Sequence, residues 1–250
     1  MTYFVSEDSF DGVLCAVYDA WASGLGHANV HVQIDADMEY RMFCEYRTVQ
    51  TDSEKAEKVI RSVRRKISEE AYQMIYESYL SNESDRADMI YRFLVDGFHY
   101  GSRITQMLNL DSVFQIFRLC RYIRNEAHKL KEFVRFEELD TGILFSSVHP
   151  RNNAIYLVAP HFADRLPDEN WIIYDRNRRL AAVHEARKGW LMVKADKPLD
   201  LTLRRAQAEK GYQDLWKVFF KTIAIQERIN PRCQRNFLPL HYRDVMTEFR

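Results

Sequence analysis

The apolar positions of this chain recur at a helical period in its first half and at shorter, strand-like runs after residue 133. After an extended start at Tyr3-Phe4-Val5, Asp8 or Ser9 offers an N-cap; Phe10, Val13, Leu14, Val17 and Trp21 follow at helical spacing as far as Gly24-Leu25-Gly26. Val30, Val32 and Ile34 alternate with His31 and Gln33 as a strand does, and a second extended stretch is expected from Cys44 to Gln50. Thr51-Asp52-Ser53-Glu54 fits a capping box ahead of Ala56, Val59, Ile60, Val63 and Ile67. Further helices are predicted from Ser68 through Tyr79, over Ala87, Ile90, Leu94 and Phe98, and from a second capping box, Ser112-Val113-Phe114-Gln115, to about Lys131.

From Phe133 to Lys194 the runs Phe133–Leu139, Ile143–Val148, Ala154–Ala159, Trp171–Tyr174, Leu180–His184 and Trp190–Val193 are separated by turn residues. Five or six strands are expected there, mainly antiparallel because most connections are short, with a short helix at His161–Arg165. Tyr212, Leu215, Trp216, Phe219, Phe220 and Ile223 mark a strongly apolar helix, and an irregular tail is expected from Asn230-Pro231. The expected class is α+β, a helical N-terminal lobe and a mostly antiparallel five- to six-stranded sheet packed by long helices. The polar break Ser81-Asn82-Glu83-Ser84 divides it into a lobe over 1–82 and a core domain over 83–250, unless the two form one continuous unit.

Composition narrows the function classes. Only 8 Gly and 6 Pro among 250 residues exclude linker-rich and collagen-like chains, and 46% hydrophobic with 29% charged residues is a globular balance. The 36 basic residues equal the 36 acidic ones, which excludes a globally basic nucleic-acid binder but not a local patch. Cys15, Cys44, Cys120 and Cys233 are scattered, without the paired spacing of zinc or iron–sulfur ligands, so reduced thiols are expected. No apolar run approaches the roughly 20 residues of a membrane span, and no secretory leader pattern opens the chain, so a cytoplasmic location is expected. Gly24-Leu25-Gly26 follows a helix and meets Asn29 where a dinucleotide fingerprint needs glycine; phosphate-loop, zincin, hydrolase and zinc-deaminase motifs are missing. No cofactor is expected, and His161-x-x-Asp164 supplies two ligands where a metal site needs more.

Wound at 100° per residue, the 112–131 helix gathers Arg118, Arg121, Arg124, His128 and Lys131 into a stripe about 140° wide, with Arg135 just beyond it. Such a stripe is either a solvated face or a track for phosphates. Glu126 falls at the edge of the apolar side; a half-buried carboxylate there is either a general base or the partner of Arg135. Glu126, His161 and Asp175 are the candidates for acid–base catalysis. Arg176, Arg178, Arg179, Arg187 and Lys188 crowd two sheet turns, and His149 and Arg151 another. Arg228 and Arg232 lie in a tail interleaved with aromatics, a pattern that suits single-stranded nucleic acid.

These segments carry a resemblance. Phe10-Asp11-Gly12 with Tyr18-x-x-Trp21, Thr51-Asp52-x-Glu54-Lys55-Ala56, and Glu126-x-His128-Lys129 leading into Phe133-Val134-Arg135-Phe136 are its first half. His161-Phe162-x-x-Arg165, Trp171-Ile172-Ile173-Tyr174-Asp175 with Arg178, Leu215-Trp216, and Glu227-Arg228-x-Asn230-Pro231 through Pro239 and Tyr242 complete it. Together they resemble an uncharacterised family described as "probable DNA metabolism protein". The resemblance implies a gene beside a DNA repair or modification protein of the radical-SAM type and, in some relatives, fusion to a uracil-DNA-glycosylase-like domain, for which this length leaves no room. It implies a pathway rather than a reaction: a protein that binds nucleic acid, with DNA foremost, and acts with a separate radical-SAM partner. The alternatives are a nucleic-acid hydrolase or lyase and a non-catalytic protein that docks its partner through the aromatic C-terminal helix.

Overall fold

The computed structural model describes residues 1–37, 40–195, 209–223 and 230–249. They form two compact units, Met1–Ile123 and Arg124–Arg250. The break at Ser81–Ser84 therefore lies inside the first unit.

The first unit is built on a parallel three-stranded sheet in the order β2-β1-β3, with β1 at Thr2–Ser6, β2 at Val30–Ile34 and β3 at Glu45–Thr48. Helix α1 (Phe10–Ala22) connects β1 to β2. Ser9 caps it by accepting the Gly12 N–H at 2.9 Å. Helix α2 (Ser53–Lys66) is capped by Asp52, whose carboxylate accepts from Glu54 and Lys55, rather than by Thr51 as the capping box predicts. The hydroxyl of Thr51 instead donates to Glu7 at 2.7 Å. Ser68 caps α3 (Glu69–Tyr79), and α4 (Arg86–Tyr100) follows. Helix α5 begins at Asp111 and reaches Phe133; Ser112 is directed to Asp96 and caps nothing. In the core of this unit Leu14, Val30, Ile34, Ile75, Ile90 and Leu94 are all sealed from solvent. Each such side chain contributes about 1.5–3 kcal/mol by leaving water.

The second unit holds a five-stranded sheet in the order β4-β5-β6-β7-β8: Glu137–Glu138, Leu144–Val148, Trp171–Asp175, Leu180–His184 and Trp190–Lys194. Three of its pairings are antiparallel, and β5 with β6 is parallel. The fold is α+β as expected, with two corrections. The run Ala154–Ala159 is not a strand but part of α6 (Ile155–Arg165), one helix where a strand and a short helix were expected. A short apolar run cannot be told from a buried helix by periodicity, and this helix is what lets β5 and β6 pair in parallel. The tail is not irregular: Asn230 caps α8 (Pro231–Phe237) by accepting the Cys233 N–H, and 3-10 turns occupy Leu240–Val245 and Thr247–Phe249. Helix α7 covers Glu209–Ile223. Trp171, fully buried on β6, stacks on His184 of β7 with centroids 5.0 Å apart.

Candidate functional site

Strands β5 and β6 end side by side, with Val148 opposite Asp175. The carboxyl end of paired parallel strands is where open α/β sheets place ligands. In this unit the loop from His149 to Ala154 leaves that end and enters α6.

Three residues hold the loop's main chain. Glu126, on α5, is 8% exposed. Its Oε1 accepts the Arg151 N–H at 2.8 Å, and its Oε2 accepts the Asn152 N–H at 2.8 Å and the Asn152 side-chain amide at 2.7 Å. The loop carbonyls are taken by the β6–β7 turn: Asn177 Nδ2 donates to Pro150 at 2.9 Å, and Arg178 donates to Pro150 at 3.1 Å and to the Arg151 carbonyl. Asp175, with no exposure, in turn holds Arg178 at 3.0 Å and accepts the N–H groups of Asn177 and Arg178, the self-bonding turn that aspartate favours. Burial pushes the Asp175 carboxyl above its ordinary value, against the pull of the Arg178 guanidinium.

Outside this brace lies a charged rim. Asp244 meets His149 at 3.4 Å and Arg176 at 3.1 Å. Burial, and then the nearby Arg151 guanidinium, lower the His241 pKa, while burial and Glu126 raise that of the Tyr242 hydroxyl. The hollow lined by Leu130, His149, Pro150, His241, Tyr242 and Val245 has a volume of about 10 Å³. That is room for one water at most, so it is no substrate pocket. The Arg151 side chain is exposed and has no hydrogen-bond or ion-pair partner among the described residues.

The expected pairing of Glu126 with Arg135 does not occur, nor does it pair with His128. Arg135 pairs with Glu248 at 3.1 Å, and His128 lies against Glu132 at 3.1 Å. The main-chain donors reach Glu126 first because the loop is fixed, whereas a long guanidinium must lose side-chain freedom to arrive. Both Glu126 oxygens are thus occupied by donors of the loop. His161 is half-buried with its ring against Phe162, six residues into α6 and so about 9 Å along its axis from the loop; no bond joins it to Glu126 or Asp175. Among the described residues no group of three or more His, Cys, Asp or Glu side chains is placed to hold a metal, and no helix is long and apolar enough to cross a membrane.

The basic residues separate by unit. Arg118, 3.9 Å from Glu83, and the exposed Arg121 belong to the first. Arg124 and His128 are exposed, and Lys131 partly exposed, in the second; Arg232 is exposed on α8. Arg178 is committed to the brace, and Arg228 lies outside the described residues. The sequence reading missed the bracing roles of Asn152 and Asn177; both sit in predicted turns, where asparagine signals only a bend.

The second unit is thus an α+β body whose parallel strand pair carries a braced, cation-bearing loop. The chain belongs to the DUF4130 family, described as a domain of unknown function, whose profile matches residues 84–248. The match begins at the polar break Ser81–Ser84 and contains the whole brace. None of the curated proteins matches the chain.

Proposed function

We propose that this protein acts in DNA metabolism, in repair or modification, by binding nucleic acid and working with a separate radical-SAM protein. Arg151 carries the reading. Glu126 and Arg178 fix its backbone from the N–H and the carbonyl, yet its guanidinium is left exposed and unpaired near His241. Fixing a main chain while leaving its cation in solvent suits a phosphate contact, because the backbone is already ordered and only the side chain must be ordered on binding. The partner comes from the resemblance of the sequence motifs, and the radical chemistry is then the partner's own. The hydrolase or lyase reading finds less support, since Glu126 is occupied and His161 stands apart.

The test is binding of single-stranded and duplex oligonucleotides by fluorescence anisotropy over a salt series. Each phosphate contact contributes about 0.7–0.9 to the slope of log affinity against log salt. Arg151→Glu should weaken all sequences alike, since phosphate contacts carry no base information. Undetectable affinity at low salt would overturn the nucleic-acid part.

One observation favours partner docking as a second reading. No residue of α7 is buried, although Tyr212 and Leu215 are each 67% and Phe219 is 52% exposed. Aromatic and aliphatic side chains clustered this way mark protein interfaces. Co-purification with the radical-SAM partner tests it.

A further inference from the structure

We propose that the first unit carries a nucleotide-binding groove between α1 and α2, a site distinct from the β5–α6 loop and independent of the reading above. Lys58, Ser62 and Lys66 stand at successive i, i+4 positions, one row along α2 spanning about 12 Å. Val17, Tyr18, Trp21 and Ala22 of α1 form the opposite wall, and Phe98 of α4 also lines the groove. The volume is about 450 Å³, within the roughly 300–1,000 Å³ of small-molecule sites.

The lining selects the ligand. Trp21 is 40% exposed, yet its ring is held edge-on by Phe98 at 5.3 Å and by His27 at 4.6 Å. A fixed ring with an open side is a stacking platform for a planar heterocycle. None of the lining residues is acidic. Lys66 lies 6.0 Å from the Phe98 centroid and has no carboxylate partner among the described residues; Lys58 meets only Glu54, at 4.0 Å. Two ammonium groups beside aromatic walls ask for a ligand that is planar at one part and anionic at another. The Ser62 hydroxyl donates to the Lys58 carbonyl at 2.7 Å, which leaves its oxygen free to accept a ring N–H. A nucleobase against Trp21 and Tyr18 with its phosphate on one lysine uses both the aromatic wall and the positive row. A fatty acid would answer a lysine but leave the platform unstacked.

The same chemistry is offered by a free mononucleotide and by the phosphorylated end of a single strand. Calorimetry on the full chain with thymidine 5′-monophosphate, thymidine, and a short oligothymidylate with and without a 5′-phosphate separates them. Saturable binding of the monophosphate, about tenfold tighter than thymidine, is expected. Preference for the monophosphate over the phosphorylated strand assigns the free nucleotide, and the reverse assigns the strand end; either supports the groove. Lys58→Glu with Lys66→Glu, both exposed and therefore tolerable to the fold, should remove the phosphate preference. Trp21→Leu should weaken all binding ligands by about tenfold. Arg151→Glu should leave monophosphate binding unchanged, so failure of the loop reading is distinguishable from failure here. No saturable binding by any of the four ligands, or a phosphate preference that survives the double lysine reversal, overturns the proposal.

Discussion

Asn152 gives both its main-chain N–H and its side-chain amide to one oxygen of Glu126, at 2.8 and 2.7 Å. The other oxygen takes the Arg151 N–H, so one carboxylate satisfies three donors of a loop that has no regular partner strand. In Glu126→Gln one of those oxygens becomes an NH₂ group facing an N–H. The expected loss is about 2–4 kcal/mol, the range for a buried charge-assisted network left with an unsatisfied donor. His128→Ala should cost far less, because that ring and its Glu132 partner are both solvent-exposed. Urea denaturation of both variants checks the ranking, and a Glu126→Gln protein as stable as the parent would remove the brace from the account.

The pH dependence of the brace follows from Asp175. Its folded pKa lies above the ordinary 3.8, chiefly through burial. A carboxyl raised in this way holds its proton more tightly in the folded than in the unfolded chain. Its contribution to stability is therefore fullest below 3.8 and is lost as pH rises through the folded value. Asp175→Asn does not titrate, so the stability of the parent relative to this variant should fall as pH rises from 3.8 through the raised folded value. Denaturation curves along that series would show an opposite trend if Arg178, at 3.0 Å, outweighed burial.

Much of this fold was legible because local rules and tertiary structure agree. Ser9 and Ser68 cap the helices they precede, and the alternation Val30, Val32, Ile34 is a strand with those residues inward. What was not legible depends on distant partners. Ala154–Ala159 is apolar enough for either element, and only the parallel β5–β6 register settles it as helix. Glu126 was legible as buried, since it sits at the edge of an apolar face. Its partners were not, because main-chain donors leave no trace in residue type. Arg178 looked like one more turn arginine; its role requires knowing that the β6–β7 turn meets the β5–α6 loop.

Gly12 shows how a sequence motif acquires a physical reason. A Cβ at this position would lie 2.9 Å from the Glu7 carbonyl and 2.9 Å from Ser9 Oγ, the atom that caps α1. Gly12→Ala must push the chain off its cap, at an expected 1–3 kcal/mol, about the cost of overpacking. Gly189, with open space around it and no left-handed φ, serves as the position for comparison. Thermal denaturation of Gly12→Ala that matched the parent would show that the β1–α1 entry has slack.

Helix α7 separates stability from interaction. Leu215→Ala and Phe219→Ala remove large side chains that are already 67% and 52% exposed, so each should change stability by no more than about 0.5 kcal/mol. If the helix docks the radical-SAM partner, the double variant should lose co-purification while its melting temperature holds. Loss of both together would place these side chains in the fold rather than at an interface.

If the loop binds a polyanion as proposed, the proton of His241 links the charged rim to that binding. Its folded pKa lies below the ordinary 6.5, first through burial and then through Arg151, with His149 acting in the same sense and Glu126 and Asp244 opposing. As pH falls below 6.5 the unfolded chain takes the proton first, so this group's stabilising contribution is lost between 6.5 and the lower folded value. A bound phosphate favours the protonated ring, which gives binding the opposite trend: affinity should rise as pH falls through the same window. His241→Asn should flatten both slopes while retaining a polar side chain at an exposed position. Oligonucleotide affinity at pH 7.5 and 5.5, held at one ionic strength, is the measurement, with roughly a tenfold gain as the ceiling for one added contact of about 1.4 kcal/mol. An affinity gain of equal size in His241→Asn would assign the titration to His149 or to the nucleic acid.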